Sequence, residues 1–485
     1  MMHTGDEYFD SNEFKAILAA YEEAVSKRQA IFMDTDDLID IADYYNMVGL
    51  RDKASAAVDA ALEFDPSATL PLVYKAREAL AEEDIKSAKD IADEIIGKDD
   101  YDYKCLKAEI MVAQDCIDEA EAYLNEVFPT LEYAEHEDFI YDTAGMYLDY
   151  GVYDKAYEWL AECSDPDGEE CLDMRGKALL GLGRYTEAVA IYEKLIDKSP
   201  RTAGYWVSLA NAQNQSESYN DAITSCEYAL ALNPHDASGL FIKASSLYRL
   251  GNFEQALEYY RRYNEIAPKD GYGELNVGTT LLHLAHYDDA LAHLRKAERQ
   301  AQSASSGYLS QIHEAMALVY SSLGINGKAI EYIDKVPIAE DDAEECVEHL
   351  VVRGHILLEA GRASEAEAMF RKGVIKSSCS PNVMLRVIVS LMDNKYTEVA
   401  YRMFKMYFST FPNTMDGYAY MALCCWEMQN IDEFLFYFKK ALTYNKTEAT
   451  TVLANVVPGG IGLNDYLNKI ISANNDHDKS TGIAS

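Results

Sequence analysis

Small and aromatic positions recur along this chain with a period of 34. An aromatic residue followed three places later by alanine occurs at Tyr185 and Ala188, Tyr219 and Ala222, Phe253 and Ala256, and Tyr287 and Ala290. Each pair lies 34 residues after the last, and Pro200, Pro234 and Pro268 keep the same beat. A repeat of this length and content predicts an array of helix-turn-helix units.

The pattern extends in both directions. The small residue expected to open each second helix falls at Ala54, Ala88, Ala120, Ala156, Ala188, Ala222, Ala256, Ala290, Ala329 and Ala366, with Val399 and Phe434 in the last two places. Twelve residues earlier stand Ala42, Ala76, Ala108, Ala144, Gly176, Ala210, Ala244, Gly278, Ala317, Gly354, Val387 and Ala422. Two antiparallel helices joined by a short turn approach closely only where the crossing side chains are small. Leu209, Leu247, Tyr260 and Leu294 are expected to fill the space around the crossings. Gly49, Gly151, Gly183, Gly251, Gly324 and Gly361 are placed to end first helices, where the chain turns left-handed. Pro66, Pro200, Pro234 and Pro268 mark where second helices stop.

These residues resemble those of the tetratricopeptide repeat family over most of the chain. The unit from Ala203 to Asp236 matches best, with Trp206, Leu209, Ala210, Tyr219, Ala222, Ala229 and Pro234 in the family's places. The resemblance implies an all-α fold, a right-handed α-α superhelix of about twelve helix-turn-helix repeats with capping helices at its ends. On this basis residues 1–34 form an N-terminal cap, with Phe14, Ile17, Tyr21 and Ala24 at helical spacing. Residues 35–305 and 306–446 form two parts of the array. The irregular stretches Gln300 to Gly307 and Ile338 to Glu345 motivate the division near residue 305. Residues 447–472 form a C-terminal cap in which Leu463, Tyr466, Leu467, Ile470 and Ile471 line one face after the helix-breaking Pro458 to Gly462. Residues 473–485 form a polar, disordered tail.

In arrays of this family the first helix of each pair lines a concave groove that takes protein or peptide partners. Counting from the small residue of each first helix places Tyr141, Lys177, Asn211, Asn214, Phe241, Ser245, Tyr248, Tyr272, Thr279 and His355 on that groove. Rings there would grip side chains, and amides would bond a peptide backbone. The resemblance does not extend to the carboxylate clamp of chaperone adaptors. Asn211 and Asn276 match single places, but Val207 and Ile242 stand where a lysine and an asparagine are needed.

Charge adds a second feature. The chain has 82 acidic and 43 basic residues, a net of −39. Residues 1–170 hold 44 Asp and Glu against 13 Lys and Arg, a net of −31, while residues 171–485 carry −8. Inward-facing acidic places in this part and just beyond it include Asp36, Asp43, Asp102, Glu109, Asp138 and Asp173. Two explanations stand side by side: solubility of a long exposed array, and a docking surface for a basic protein segment. Nucleic acid and anionic membranes both require a basic footprint, so neither is expected as a partner.

The chain carries few signatures of chemistry. The nine cysteines form no C-x-x-C pair and are expected to be inert thiols in a reducing compartment. The acidic start and the absence of a long apolar run point to a cytoplasmic protein. Gly459 to Gly462 lacks the lysine of a phosphate loop. Asp165 to Gly168 fails the register of a calcium loop. His283, His286 and His293 lie close in sequence without further metal ligands. The core positions of Tyr185, Tyr192, Tyr219, Tyr260 and Tyr287 argue against a carbohydrate-stacking surface. No cofactor or metal is implied. The expected function is a non-enzymatic scaffold or adaptor. The alternatives are a peptide-sensing regulator and the arm of an enzyme whose site assembles only in three dimensions.

Overall fold

The computed structural model describes residues 8–27, 31, 33–304, 307–337, 343–454, 456–457 and 462–470. Every regular element among them is helical. Twelve two-helix hairpins follow one another, spanning 35–64, 69–94, 101–127, 136–159, 169–198, 203–232, 237–266, 271–304, 309–333, 343–376, 381–410 and 418–444. Helix Asn12–Ser26 precedes them, and helix Lys446–Val452 and a helical stretch at 463–470 follow. The chain divides into two compact units, Met1–Ser246 and Leu247–Ser485, with the break inside helix Ala237–Arg249. The expected irregularities at 305–306, 338–342 and 458–461, and the tail 473–485, lie outside the described residues.

Each unit buries its apolar residues as a row of neighbouring clusters, which is how a repeat array stays folded without one centre. In the first unit Phe14 and Tyr21 of the leading helix are buried with Leu38, Ile41 and Tyr45 of the first hairpin. Phe139, Tyr147, Trp159 and Leu160 form a later cluster, and Leu172, Tyr192, Leu195 and Leu209 the next. In the second unit Ala449, Leu453 and Leu467 of the trailing helices are buried with Phe404, Phe434 and Phe438. The leading helix thus presents apolar side chains to the first hairpin and the trailing helices to the last two.

One turn geometry recurs in all twelve hairpins. Gly49, Glu83, Asp115, Gly151, Gly183, Glu217, Gly251, Ala285, Gly324, Gly361, Lys395 and Gln429 each adopt a left-handed conformation, with φ between 58° and 77°. The residue after each donates its N–H back to a carbonyl five positions earlier. Leu50 bonds Tyr45, Ser218 bonds Gln213 and Asn430 bonds Cys425, for example, at 2.7–2.9 Å. This is the hydrogen-bonded helix ending that a left-handed residue makes possible. Six of these residues are not glycine, so a glycine count finds only half the turns. The second helices ending at Phe64, Lys198, Leu232 and Ile266 stop two residues before Pro66, Pro200, Pro234 and Pro268. The intervening Asp65, Ser199, Asn233 and Ala267 all leave the helical region, as residues before proline must.

Five residues after each left-handed position comes the crossing residue of the second helix. Ala54, Ala88, Ala120, Ala156, Ala188, Ala222, Ala256, Ala290, Ala329 and Ala366 are all at most 1% exposed. The eleventh hairpin corrects the expected register. Val399 is only half-buried, whereas Ala400 is fully buried, five residues after Lys395. Its first-helix counterpart is Ile388, fully buried, in place of Val387. With Ala400 the steps from Ala366 to Phe434 become 34 and 34. The turn, which lacks glycine, sets this register, and a count of small residues alone slips by one. Where glycine holds the first-helix crossing it does so for space. A Cβ would meet the Tyr192 ring at 2.6 Å on Gly176, Leu294 at 2.7 Å on Gly278, and the Phe370 ring at 2.5 Å on Gly354.

The left-handed turns yield a reciprocal prediction. Ala285 holds φ 58° with no special side chain to help it. A β-carbon in that region costs about 1–2 kcal/mol. Glycine loses about 0.4–1 kcal/mol through the greater freedom of the unfolded chain. Relief of strain is the larger effect, so Ala285→Gly should stabilise the second unit by up to about 1 kcal/mol in urea denaturation. Gly251→Ala, which meets no atom within 4 Å, should destabilise it by a similar amount. Opposite signs in either variant would refute the left-handed assignment.

Candidate functional site

First helices of successive hairpins pack directly on one another through hairpins one to five in the first unit and eight to eleven in the second. Over these hairpins they make a continuous face. The residue following each first-helix crossing residue stays out of the core. It is Asp43, Arg77, Glu109, Lys177, Asn211 and Ser245 in the first unit, and Thr279, Leu318, His355 and Val389 in the second, none of them buried. Helical spacing thus sets a ladder of side chains whose chemistry is free of the packing constraint one position away.

In the first unit the ladder is acidic around one cation. Arg77 Nε donates to Glu109 Oε2 at 3.0 Å. Burial pulls the Arg77 guanidinium down, but Glu109 and Asp102 outweigh it and hold its pKa above the usual value. Asp43, though solvent-accessible, is flanked by neighbouring helices. This desolvation and the Asp40 charge push its carboxyl up to about 6, with Arg77 opposing. Asp102 is raised by burial, with Asp100 and Asp142 adding and Arg77 opposing. Tyr101 donates its hydroxyl to Asp142 Oδ2 at 2.7 Å, and Asp138 acts on the same tyrosine. Burial, with Asp142 and Asp102, pushes the Cys105 thiol up to about 12.

Of the six acidic residues expected to share a surface, Asp43, Asp102 and Glu109 therefore gather about Arg77, and Asp138 adjoins them through Tyr101. Asp36 is exposed at the start of its helix beside Asp37. Asp173 is neutralised within its own helix by Lys177, 2.7 Å away. Arg77, at the same ladder place as Asp43, escaped a count that looked only for carboxylates.

The groove residues divide by what they touch. Tyr141 is half-buried and hydrogen-bonds Glu137. Asn214 donates to Ser246 Oγ at 2.7 Å, so its amide joins adjacent hairpins. Asn211, Phe241 and Ser245 are half-buried. In the second unit the Tyr248 ring is held between Phe253 and His283, each at 5.3 Å. Tyr272 is 38% exposed and meets the Tyr308 ring at 5.5 Å. Thr279 donates to the Asn276 carbonyl at 3.1 Å. His355 approaches Glu359 at 3.4 Å.

His355 also lines a cavity of about 370 Å³ formed by first helices of hairpins nine to twelve. Leu318, Val351, Leu385 and Val389 supply apolar wall, and Asp393 and Tyr420 join them. Leu385 and Val389 occupy the ladder offsets of Phe241 and Asn211 once Ile388 is taken as the crossing residue, so the one-residue slip hid them.

The three clustered histidines have separate partners. His283 stacks on Phe253 at 4.7 Å, His286 lies 3.9 Å from Asp289, and His293 Nδ1 is 2.7 Å from Glu274 Oε2. Glu274 is 3% exposed and also binds Lys296 at 2.6 Å, so a buried carboxylate with more exposed basic partners stands here without a sequence signature. Among the described residues no group of three or more His, Cys, Asp or Glu is placed to hold a metal ion. No helix among them is long and apolar enough to cross a membrane. All nine cysteines are free thiols. Six are buried, but Cys379 is exposed. Of the repeat-beat tyrosines, Tyr192 and Tyr260 are buried, and Tyr185, Tyr219 and Tyr287 are half-buried.

Asp43 gives a pH prediction. Its carboxyl rises from 3.8 to about 6 on folding, so between these values the folded chain binds more protons than the unfolded one. Stability then falls as pH rises through that window, and the penalty is complete above about pH 6. Asp43→Asn should raise the melting temperature at pH 7 and leave it unchanged at pH 4. An equal change at both pH values would show that the carboxyl is not desolvated.

Family models match stretches of this array. A tetratricopeptide repeat model matches residues 174–237, and a second matches residues 341–372. A model described as anaphase-promoting complex, cyclosome, subunit 3 matches residues 215–297. A TPR repeat-containing protein of Methanocaldococcus jannaschii is 23% identical over 164 residues, spanning 34% of this chain and 28% of that protein. Among solved structures, the APC/C hetero-tetramer Cut9-Hcn1 aligns over 78% of this chain and 74% of its own, at 15% identity and a TM-score of 0.43. MamA from Desulfovibrio magneticus RS-1 aligns over 35% of this chain and 97% of its own, at 19% identity and a TM-score of 0.33. The repeat-model matches fall on hairpins with the left-handed turn and buried small crossing described above, and the chain is a tetratricopeptide repeat protein.

Proposed function

We propose that this protein is a non-enzymatic scaffold or adaptor that holds protein partners along the groove of its first helices, and that the acidic end docks a basic segment. The observation that carries this reading is the crowding of Asp43, Asp102 and Glu109 about Arg77, with Asp142 beside Asp102. A single guanidinium leaves surplus negative charge on this face, and desolvation with neighbouring carboxylates pushes Asp43 and Asp102 up against the opposing pull of Arg77. A lysine- or arginine-rich segment would supply further cations. Such attraction acts mainly on the association rate and is screened beyond about 8 Å at physiological salt. Solubility alone needs only net charge. It does not require carboxylates to be gathered at a desolvated place.

The test compares equal charge removed from two faces. A fluorescent twelve-residue Lys/Arg peptide is titrated against the full chain by anisotropy at 50 and 300 mM salt. It should bind at low salt and weaken at least about tenfold at high salt. The triple variant Asp43→Asn, Asp102→Asn, Asp138→Asn should lose most of this binding. Asp52→Asn, Asp90→Asn, Asp93→Asn removes the same charge from exposed positions on second helices and should lose little. Equal losses in both variants would reduce the acidic end to a diffuse, solubilising charge.

A further inference from the structure

The cavity in the second unit has its own chemistry, separate from the acidic face. It lies where first helices of four successive hairpins meet, and its 370 Å³ falls in the range of about 300–1,000 Å³ typical of ligand pockets. Its wall is aliphatic, from Leu318, Val351, Leu385 and Val389. The basic side chains near it already have acidic partners. Arg386 is paired with Glu348 at 2.7 Å, Lys395 with Glu427 at 3.8 Å, and His355 with Glu359 at 3.4 Å. Glu359 also accepts from Ser321. Asp393 remains, with no hydrogen bond or ion pair of its own among the described residues. Asp393 is solvent-exposed, but the helices around it partly desolvate its carboxyl and raise it; His355 and Lys395 oppose this, and Glu359 and Glu427 add to it. The Tyr420 ring lies within electrostatic reach of Asp393 and supplies an aromatic surface against which a cation is attracted.

We infer that this cavity is a socket for a partner peptide in which a bulky aliphatic or aromatic side chain stands next to a lysine or arginine. The apolar side chain enters between Val351, Leu385 and Val389, and the cation pairs with Asp393 beside Tyr420. A purely apolar segment would leave Asp393 unpaired in a drier setting, and an acidic one would add like charge to it. This inference rests on the scaffold reading, since it places a peptide on the first-helix face. It names a second, chemically distinct anchor there.

The test is an array of random decapeptides probed with the labelled full chain, followed by solution titration of the strongest sequences. The socket predicts enrichment of apolar-basic neighbours among the bound peptides. Asp393→Lys should weaken these at least tenfold and favour peptides with an acidic neighbour instead. Leu385→Ala should weaken both kinds while leaving helicity unchanged by circular dichroism. Bound peptides without the apolar-basic pairing, or an unchanged selection with Asp393→Lys, would overturn the socket. If binding is lost only in the Asp43, Asp102 and Asp138 triple variant, the socket falls and the scaffold reading stands. If no peptide binds, both fall.

Discussion

The structure depends on one close contact repeated along the array. In hairpins one to six and eight to ten the two helices cross at small residues, in the last two Ile388 or Phe434 faces an alanine, and each second-helix crossing residue lies five positions after a left-handed one. The turn fixes where the second helix begins, and helical geometry then decides which side chain meets the first helix. Where both crossing residues are small, a larger one would separate the helices. The three crossing glycines show how little room remains, since a methyl group there would run into Tyr192, Leu294 or Phe370. Packing elsewhere follows from this distance, including the row of clusters that replaces a central core.

The same geometry separates stability from recognition. A crossing residue has almost no freedom, while the residue after it on the first helix is not buried in any of the ten hairpins traced above. The array therefore presents a regular ladder whose side chains vary without disturbing the fold. In the first unit the ladder holds Asp43, Arg77 and Glu109. In the second it holds Thr279, Leu318, His355 and Val389. One scaffold thus carries an acidic face and an aliphatic cavity, and the difference lies in single positions one step from the core.

Much of this was legible in the sequence because period and packing have one cause. Alanine or glycine at the crossing is a steric requirement, so it survives as a pattern in the residues. The turns were half legible. Gly49 and Gly251 announce a left-handed residue, whereas Glu83, Ala285 and Lys395 adopt the same φ without a glycine to mark it. That gap caused the slip at Val399 and concealed Leu385 and Val389 as cavity residues. The acidic bias was visible as composition, but its focus on Arg77 was not, because that depends on which helices are neighbours. Asn214 and Tyr248 share groove offsets with exposed residues, yet one bonds Ser246 and the other is held by rings. Offsets along a helix do not reveal contacts from the next hairpin.

The central claim is that every hairpin is held by its own crossing and supported mainly by its neighbours. Hydrogen exchange read by mass spectrometry on Ala222→Glu tests it most directly. Ala222 is fully buried, and a glutamate there both overpacks the crossing and buries an unpaired charge, a loss of several kcal/mol, on the order of 3 or more. The account predicts that amide protection collapses in 203–232 and weakens in the adjoining hairpins, while 35–94 keeps the protection of the parent. Unchanged protection in 203–232 would contradict the register, and uniform loss along the whole unit would contradict the neighbour-by-neighbour stability of the array.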